Sequence, residues 1–131
     1  MDREDVIEAI RESWTRETSA APDEWDPGNP ARGQCDVSSF VLWEHLGGDL
    51  VEAEVFVEGT KTEHHYWNRV GDEDIDITGE QFTGDEVITE HRTLTAAAIN
   101  AGRDQMREEL QSRIALLRTA VDRSLASLPM R

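Results

Sequence analysis

The chain has 131 residues, the usual size of one domain, and its 28 acidic residues against 13 basic residues give a formal net charge of −15. Such a charge repels phosphate backbones and anionic lipid headgroups, so neither nucleic acid nor membrane is an expected partner. No apolar run reaches the roughly 18 residues of a membrane-spanning helix, and the charged first residues do not resemble a signal peptide. We therefore expect one cytoplasmic domain over residues 1–131.

The first third of the chain divides into a helix and a long loop. Residues 2–14 carry apolar side chains at helical spacing among charges, which predicts an amphipathic N-terminal helix. Residues 15–34 contain three prolines and two glycines and show no period, which predicts a loop. Loops of this length are commonly functional, and Trp25 within this one indicates packing against the domain.

The next predicted element is a central helix that begins at Cys35. Apolar residues recur three to five positions apart from Val37 to Leu46. Gly47 and Gly48 then supply a C-terminal stop. The apolar content of the segment indicates a buried helix.

An antiparallel sheet is predicted after this helix. Residues 50–57 mostly alternate between apolar and acidic side chains, which is typical of a half-buried strand. Residues 64–70 and 74–78 are two further short strands around a turn at Gly71 and Asp72. The predicted class is therefore α+β, with the central helix packed on the sheet.

The C-terminal part is predicted to be a polar loop after Phe82 and then a long helical segment over 94–126, with a break near Gly102. One apolar stripe steps along this segment through Met106, Leu110, Ile114, Leu117, Val121 and Leu125. Such a stripe covers the core of its own domain in a monomer, and its near-heptad spacing also permits a helix-mediated homodimer. The predicted core of the domain is 13–82.

Cys35 is the only cysteine, so it cannot form an internal disulfide and is an inert buried thiol, a metal ligand or a nucleophile. The N-terminus of a helix favours the thiolate through its free amides and its macrodipole. A nucleophile also needs a base, and His64, His65 and His91 are the candidates. Because His64 and His65 are adjacent on a strand, they point to opposite faces, and we expect His65 to face Cys35.

A third residue must orient the imidazole, and Asp76 follows His65 by eleven positions. A turn at Val70 and Gly71 would set Asp76 directly opposite His65. A turn at Asp72 and Glu73 would keep the two on one face but shift them by about 13 Å along the strands. The spacing leaves both registers open, with Asp74 or Asn68 as the substitutes for Asp76.

Several short motifs, in order over roughly 13–82, resemble the YunG-like family of small bacterial proteins. They are Ser13-Trp14, Thr18, Trp25, Asn29-Pro30, Gly33-Gln34-Cys35, Gly48, His65-Tyr66-Trp67-Asn68-Arg69, Asp76-Ile77-Thr78 and Glu80-Gln81-Phe82. The resemblance implies a fold similar to the papain and transglutaminase group of cysteine hydrolases. In that group a cysteine heads a helix, and the histidine and the acid come from successive strands.

Cysteine, histidine and acid in this order suit acyl transfer, because a thiolate attacks an amide and the thioester then passes to water or an amine. Cys35 would be the nucleophile, His65 the general base and Asp76 the residue that orients it. The Cys35 amide, aided by the Gln34 side chain, would donate to the oxyanion. The expected partner is an amide-containing small molecule or peptide, for a peptidase, amidase or transglutaminase-like enzyme without metal or cofactor.

The aromatic residues near this triad suggest where a substrate would lie. Trp25 and Trp67 flank the triad in sequence and, with Asn68, are the candidates for the walls of a substrate cleft.

Three other functions remain open from the sequence. A noncatalytic binding module would keep the fold, with Cys35 as a buried structural thiol. A metal site of Cys35, a histidine and an aspartate lacks the paired ligand spacing that zinc prefers. A structural interaction protein would use the C-terminal stripe.

Overall fold

Four α-helices and four strands make up the part of the chain that the computed structural model describes, residues 2–82 and 84–128. In chain order they are α1 (Arg3–Glu12), α2 (Cys35–Leu46), β1 (Asp49–Val57), β2 (Thr60–Val70), β3 (Glu73–Ile75), β4 (Val87–Leu94), α3 (Ala96–Gly102) and α4 (Glu108–Ala126). Short 3₁₀ turns lie at Arg16–Thr18, Gly79–Gln81 and Arg103–Gln105. The predicted α+β class is confirmed.

The two predicted N-terminal helices are present. Helix α1 has a capping box, in which the Asp2 side chain accepts from the Asp5 amide and the Asp5 side chain accepts from the Asp2 amide. Helix α2 begins at Cys35, as predicted, and Gly47 is its C-terminal cap. Gly47 has a φ of 70°, a backbone conformation that would be strained in a residue with a side chain. Residues between these helices form the predicted loop, interrupted by a single 3₁₀ turn.

The sheet is antiparallel, with the strand order β3-β2-β1-β4. Leu50 pairs with Asn68 and Ala53 pairs with His65. Because side chains alternate along a strand, Leu50 and Asn68 lie on one face and Ala53 and His65 on the other. Helix α2 covers the first face, since Asn68 Nδ2 donates to the Ser39 carbonyl at 2.9 Å. We call this side of the sheet the helix face and the side of His65 the opposite face.

Strand β4 is a correction to the sequence prediction, which placed a polar loop here and began a helix at Leu94. Residues 87–94 pair instead with β1 and form an edge of the sheet. Seven of the eight side chains in β4 are exposed, so no buried alternation marks the strand in the sequence. A register shift between Glu52 and Ala53 further interrupts the pattern.

The C-terminal segment breaks after α3, near Gly102 as predicted, and α4 carries the apolar stripe. Ile114, Leu117 and Val121 are buried in one core with α1 and α2. The stripe therefore packs within its own domain in this structure. No helix within residues 2–82 and 84–128 is both long and apolar enough to cross a membrane.

Candidate functional site

The loop before α2 sets the position of Cys35 through Gly33. Gly33 has a φ of 75°, and its carbonyl accepts from the Ala20 amide at 2.8 Å. A Cβ at this position would clash with Ser19 Oγ and lie 2.8 Å from the Ala21 amide nitrogen. Glycine is therefore required here, because both the backbone conformation and the space exclude a side chain.

Cys35 is a protonated thiol at neutral pH in this structure. Burial, the larger cause, and the neighbouring Asp36 carboxylate together raise its pKa to about 12. The Tyr66 backbone amide acts in the opposite direction, since an N–H group stabilises a thiolate. The thiolate expected from the helix N-terminus is thus not present, because desolvation outweighs the helix dipole.

His65 and Asp76 are paired on the opposite face of the sheet. His65 Nε2 lies 3.0 Å from Asp76 Oδ1 and 2.9 Å from Oδ2, and the imidazole is fully buried. Val70 pairs with Glu73, which puts the turn at Gly71 and Asp72. This register lies between the two that the spacing left open, and it places Asp76 diagonally from His65 on the same face.

Asp74 is excluded as the partner of His65. Its carboxylate accepts from Arg69 at 2.6 and 3.0 Å and from Trp67 Nε1 at 3.1 Å. The hydrogen bond from Arg69 is the main cause that lowers the pKa of Asp74. Asp74 therefore binds two side chains of the outer part of β2, those of Trp67 and Arg69. Asp76 is the carboxylate that contacts the buried imidazole.

A cleft of about 910 Å³ opens on the helix face, between the sheet and the segment that follows β4. Cys35 and His64 both line this cleft, whereas His65, being fully buried, does not. Within the described residues, the Cys35 sulfur has no hydrogen bond to either imidazole. The expected approach of His65 to Cys35 therefore stays a prediction.

The polar wall of the cleft is a cluster that the sequence analysis did not single out. Glu52 accepts from the Tyr66 hydroxyl at 3.1 Å and from Arg92 Nε at 3.1 Å. Register explains the contact, since Glu52 pairs with both Tyr66 on β2 and Arg92 on β4. This cluster could not be found from the sequence, because Arg92 lies on β4 and a polar loop is predicted for that segment.

The proposed oxyanion role of Gln34 finds no support in its contacts. Its side chain is fully buried, its Oε1 accepts from Thr18 Oγ1 at 2.8 Å, and its Nε2 donates to the Thr15 carbonyl at 2.9 Å. Both ends of the amide are used, so Gln34 ties the loop to α2.

The three residues predicted to form the cleft walls lie elsewhere. Trp25 donates to the Pro30 carbonyl at 2.9 Å within its own loop. Trp67 is on the opposite face, with its ring centroid 5.8 Å from that of His65. Asn68 is buried under α2, where its Oδ1 has no hydrogen-bond partner among the described residues. None of the three lines the cleft of about 910 Å³.

Among the described residues, no group of three or more His, Cys, Asp or Glu side chains is arranged to hold a metal ion.

The fold and the site define an α+β domain with a cysteine at a helix start and a buried histidine–aspartate pair. The family model described as YunG protein matches residues 2–126, and the chain belongs to this family. It is 27% identical over 125 residues to the "Uncharacterized protein YunG" of Bacillus subtilis (strain 168), which covers 95% of this chain and 96% of that protein. No solved structure matches the chain significantly.

Proposed function

We propose that this protein is a cysteine-dependent enzyme that hydrolyses an amide or transfers its acyl group. Cys35 is the nucleophile, His65 the general base and Asp76 the residue that orients the base. The observation that carries the proposal is the buried His65 imidazole, whose Nε2 has both oxygens of Asp76 within 3.0 Å. A carboxylate on one ring nitrogen leaves the other as the proton acceptor, which is the arrangement of a catalytic triad.

Cys35 is supported as the nucleophile by its position. It begins α2, lines the cleft, and has its sulfur near the backbone amide of Tyr66, the residue next to His65. The Asp76 carboxylate is also close enough to affect the thiol, since it raises the pKa of Cys35.

In the proposed reaction, the Cys35 proton passes to His65 Nδ1 while the sulfur attacks the carbonyl carbon. The S–C bond forms, and the C–N bond then breaks as His65 returns the proton to the leaving nitrogen. Water or a second amine attacks the thioester and gives its proton to His65. The C–S bond breaks, and the sulfur recovers the proton.

The high pKa of Cys35 makes this the reaction of a neutral thiol and not of a preformed thiolate. The proton must therefore leave during the attack, which requires the sulfur to reach His65 in the substrate complex. Catalytic hydrogen bonds are often absent or long in a free enzyme and shorten when substrate binds.

The substrate class is an amide-containing small molecule or peptide bound in the cleft beside Cys35. The cleft volume of about 910 Å³ lies within the usual range for small-molecule sites. Tyr66 and the Glu52–Arg92 pair offer polar contacts, while Phe40 and Ile99 offer apolar ones.

A kinship with the papain and transglutaminase group is part of this proposal. It is supported by a cysteine that heads a helix, a histidine on a following strand and an acid after the next strand, in a domain with an antiparallel sheet.

Hydrolysis of 4-nitrophenyl esters and 4-nitroanilides by the wild type and single variants tests the proposal. We expect Cys35→Ser to abolish turnover, and His65→Ala and Asp76→Asn to reduce it about a hundredfold or more. His91→Ala, at an exposed histidine that does not line the cleft, and Asp74→Asn are matched controls and should retain most of the rate. Turnover that survives Cys35→Ser would contradict the proposal.

A binding module is the second candidate, because the protonated, buried Cys35 thiol fits a structural residue equally well. In that case the cleft binds a ligand without covalent chemistry. The wild type would then show no turnover of either substrate class, and Cys35→Ala would keep ligand affinity.

A further inference from the structure

Gln81 bridges the loop before Cys35 and the His65 imidazole. Its side chain is only 3% exposed. At one end Oε1 lies 3.1 Å from the Gly33 amide nitrogen and 3.4 Å from Arg32 Nη1. At the other end Nε2 lies 3.5 Å from His65 Nδ1 and 3.4 Å from Thr78 Oγ1.

The contacts decide which way the Gln81 amide points. A backbone N–H and a guanidinium can only donate, so the end that faces Gly33 and Arg32 must be the carbonyl oxygen. The end that faces His65 is then the NH₂ group, which can only donate. His65 Nδ1 must therefore be an acceptor and carry no proton.

The Asp76 contact specifies the same protonation state of the imidazole. A carboxylate accepts, so His65 Nε2 must carry the proton that lies between it and Asp76. The Phe82 and Trp67 rings, which also contact the imidazole, carry no charge. The contacts of Gln81 at Nδ1 and of Asp76 at Nε2 therefore require the same tautomer of His65.

We propose that Gln81 is a positioning residue that holds His65 as the neutral tautomer with its proton on Nε2. The amide also fixes the distance between the base and the loop that carries Cys35, because its other end binds Gly33. The consequence for catalysis rests on the proposed function: Nδ1 is the ring nitrogen left to receive the Cys35 proton. Because Nδ1 has one lone pair in the ring plane, the Gln81 NH₂ group must move off it during that transfer. The tautomer itself does not depend on any activity.

Long-range ¹H–¹⁵N correlation spectra of the ¹⁵N-histidine-labelled protein at neutral pH test the proposal directly. We expect the wild type to show His65 with a protonated Nε2 and an unprotonated Nδ1. A protonated Nδ1 with an unprotonated Nε2 would overturn the proposal, and so would an imidazole that exchanges between both tautomers.

Gln81→Glu tests the role of the amide. Gln111→Glu, at an exposed position of α4, is the matched control for the added charge. The second carboxylate oxygen would face Nδ1 as an acceptor, so we expect a proton on Nδ1 and loss of the wild-type His65 signature. An unchanged His65 spectrum in a folded Gln81→Glu variant would contradict the proposal. If this variant does not fold, the His65 spectrum of Gln81→Leu decides: we expect Nδ1 and Nε2 to share the proton, and an unchanged single Nε2–H tautomer would overturn the role of Gln81.

The kinetic constants of a Gln81 variant distinguish a failure of this proposal from a failure of the proposed function. In an active protein, Gln81→Leu should lower kcat for 4-nitroanilides at least tenfold without a matching rise in KM. A wild type without turnover whose single Nε2–H tautomer is lost in Gln81→Leu would sustain the role of Gln81 and remove the proposed reaction. A normal kcat in Gln81→Leu would overturn the positioning role.

Discussion

The Asp36 carboxylate and the Arg113 guanidinium form two parallel hydrogen bonds of 3.0 and 2.8 Å, which join the first turn of α2 to the second turn of α4. The Arg113 side chain is 6% exposed and that of Asp36 20% exposed. Arg113 also donates to the Thr18 carbonyl at 3.3 Å. One guanidinium therefore ties the C-terminal helix to the residue next to Cys35.

Arg113→Met should destabilise the protein by about 3 kcal/mol or more, because it leaves the Asp36 carboxylate partly buried without its partner. Urea unfolding of the variant measures the change. Arg118→Met is the matched control, since Arg118 pairs with Glu44 on the same two helices but is 40% exposed. Its expected cost is about 1 kcal/mol or less, and equal costs for the two variants would refute the buried pair.

Cys35 should react slowly with iodoacetamide at pH 7, with a rate that rises with pH toward the thiol pKa of about 12. The thiolate is the reactive form, and its fraction falls tenfold for each pH unit below the pKa. Mass spectrometry of the alkylated protein gives the rate. A rate that has already reached its plateau at pH 9 would show that the thiol is not desolvated.

Asp36→Asn should lower the pKa of Cys35 and increase the alkylation rate at pH 8. The Asp36 carboxylate disfavours the neighbouring thiolate, so its removal shifts the titration toward lower pH. Glu44→Gln, at the other end of α2, is the control and should leave the rate unchanged. Equal rates in both variants would remove Asp36 as a cause.

Ile114→Asp should destabilise the protein by about 3 kcal/mol or more, because a carboxylate replaces an apolar side chain that is 3% exposed. Leu116→Asp is the control on the same helix, where Leu116 is 53% exposed. Its expected effect is within about 0.5 kcal/mol. Thermal unfolding compares them, and a small effect of Ile114→Asp would place the stripe at the surface.

Gly33→Ala should cost more stability than Gly59→Ala, although both positions have a positive φ. A Cβ at Gly33 meets Ser19 and Ala21, whereas at Gly59 nothing lies within 4 Å. We expect about 1 kcal/mol for Gly59→Ala from the backbone alone and clearly more for Gly33→Ala. Similar values in urea unfolding would mean that the loop before Cys35 adjusts freely.

The elements with apolar periodicity could be predicted from the sequence. Helix α2 begins at Cys35 because a glycine-containing loop precedes it and an apolar helical pattern follows. Residues 50–57 could be predicted as a strand because their alternation reflects a sheet with two different faces. The pairing of His65 with Asp76 was also foreseen, although the register could not be fixed, because a shift of the turn by one residue moves the partners along the strands.

The rest depended on tertiary contacts that leave no local pattern. Strand β4 exposes nearly all of its side chains, and it is a strand because its backbone pairs with that of β1. The high pKa of Cys35 reflects burial beneath other segments, which a helix start in the sequence does not reveal. The contact between Gln81 and His65 joins residues 16 positions apart through a 3₁₀ turn.

Detection of an acyl group on Cys35 tests the central claim most directly. Intact-protein and peptide mass spectrometry after brief mixing with 4-nitrophenyl acetate, followed by acid quenching, locates the adduct. The account predicts one acetyl group on Cys35 in the wild type and much slower labelling in His65→Ala. An unlabelled Cys35 in the wild type, or equal labelling of Cys35 in His65→Ala, would contradict it.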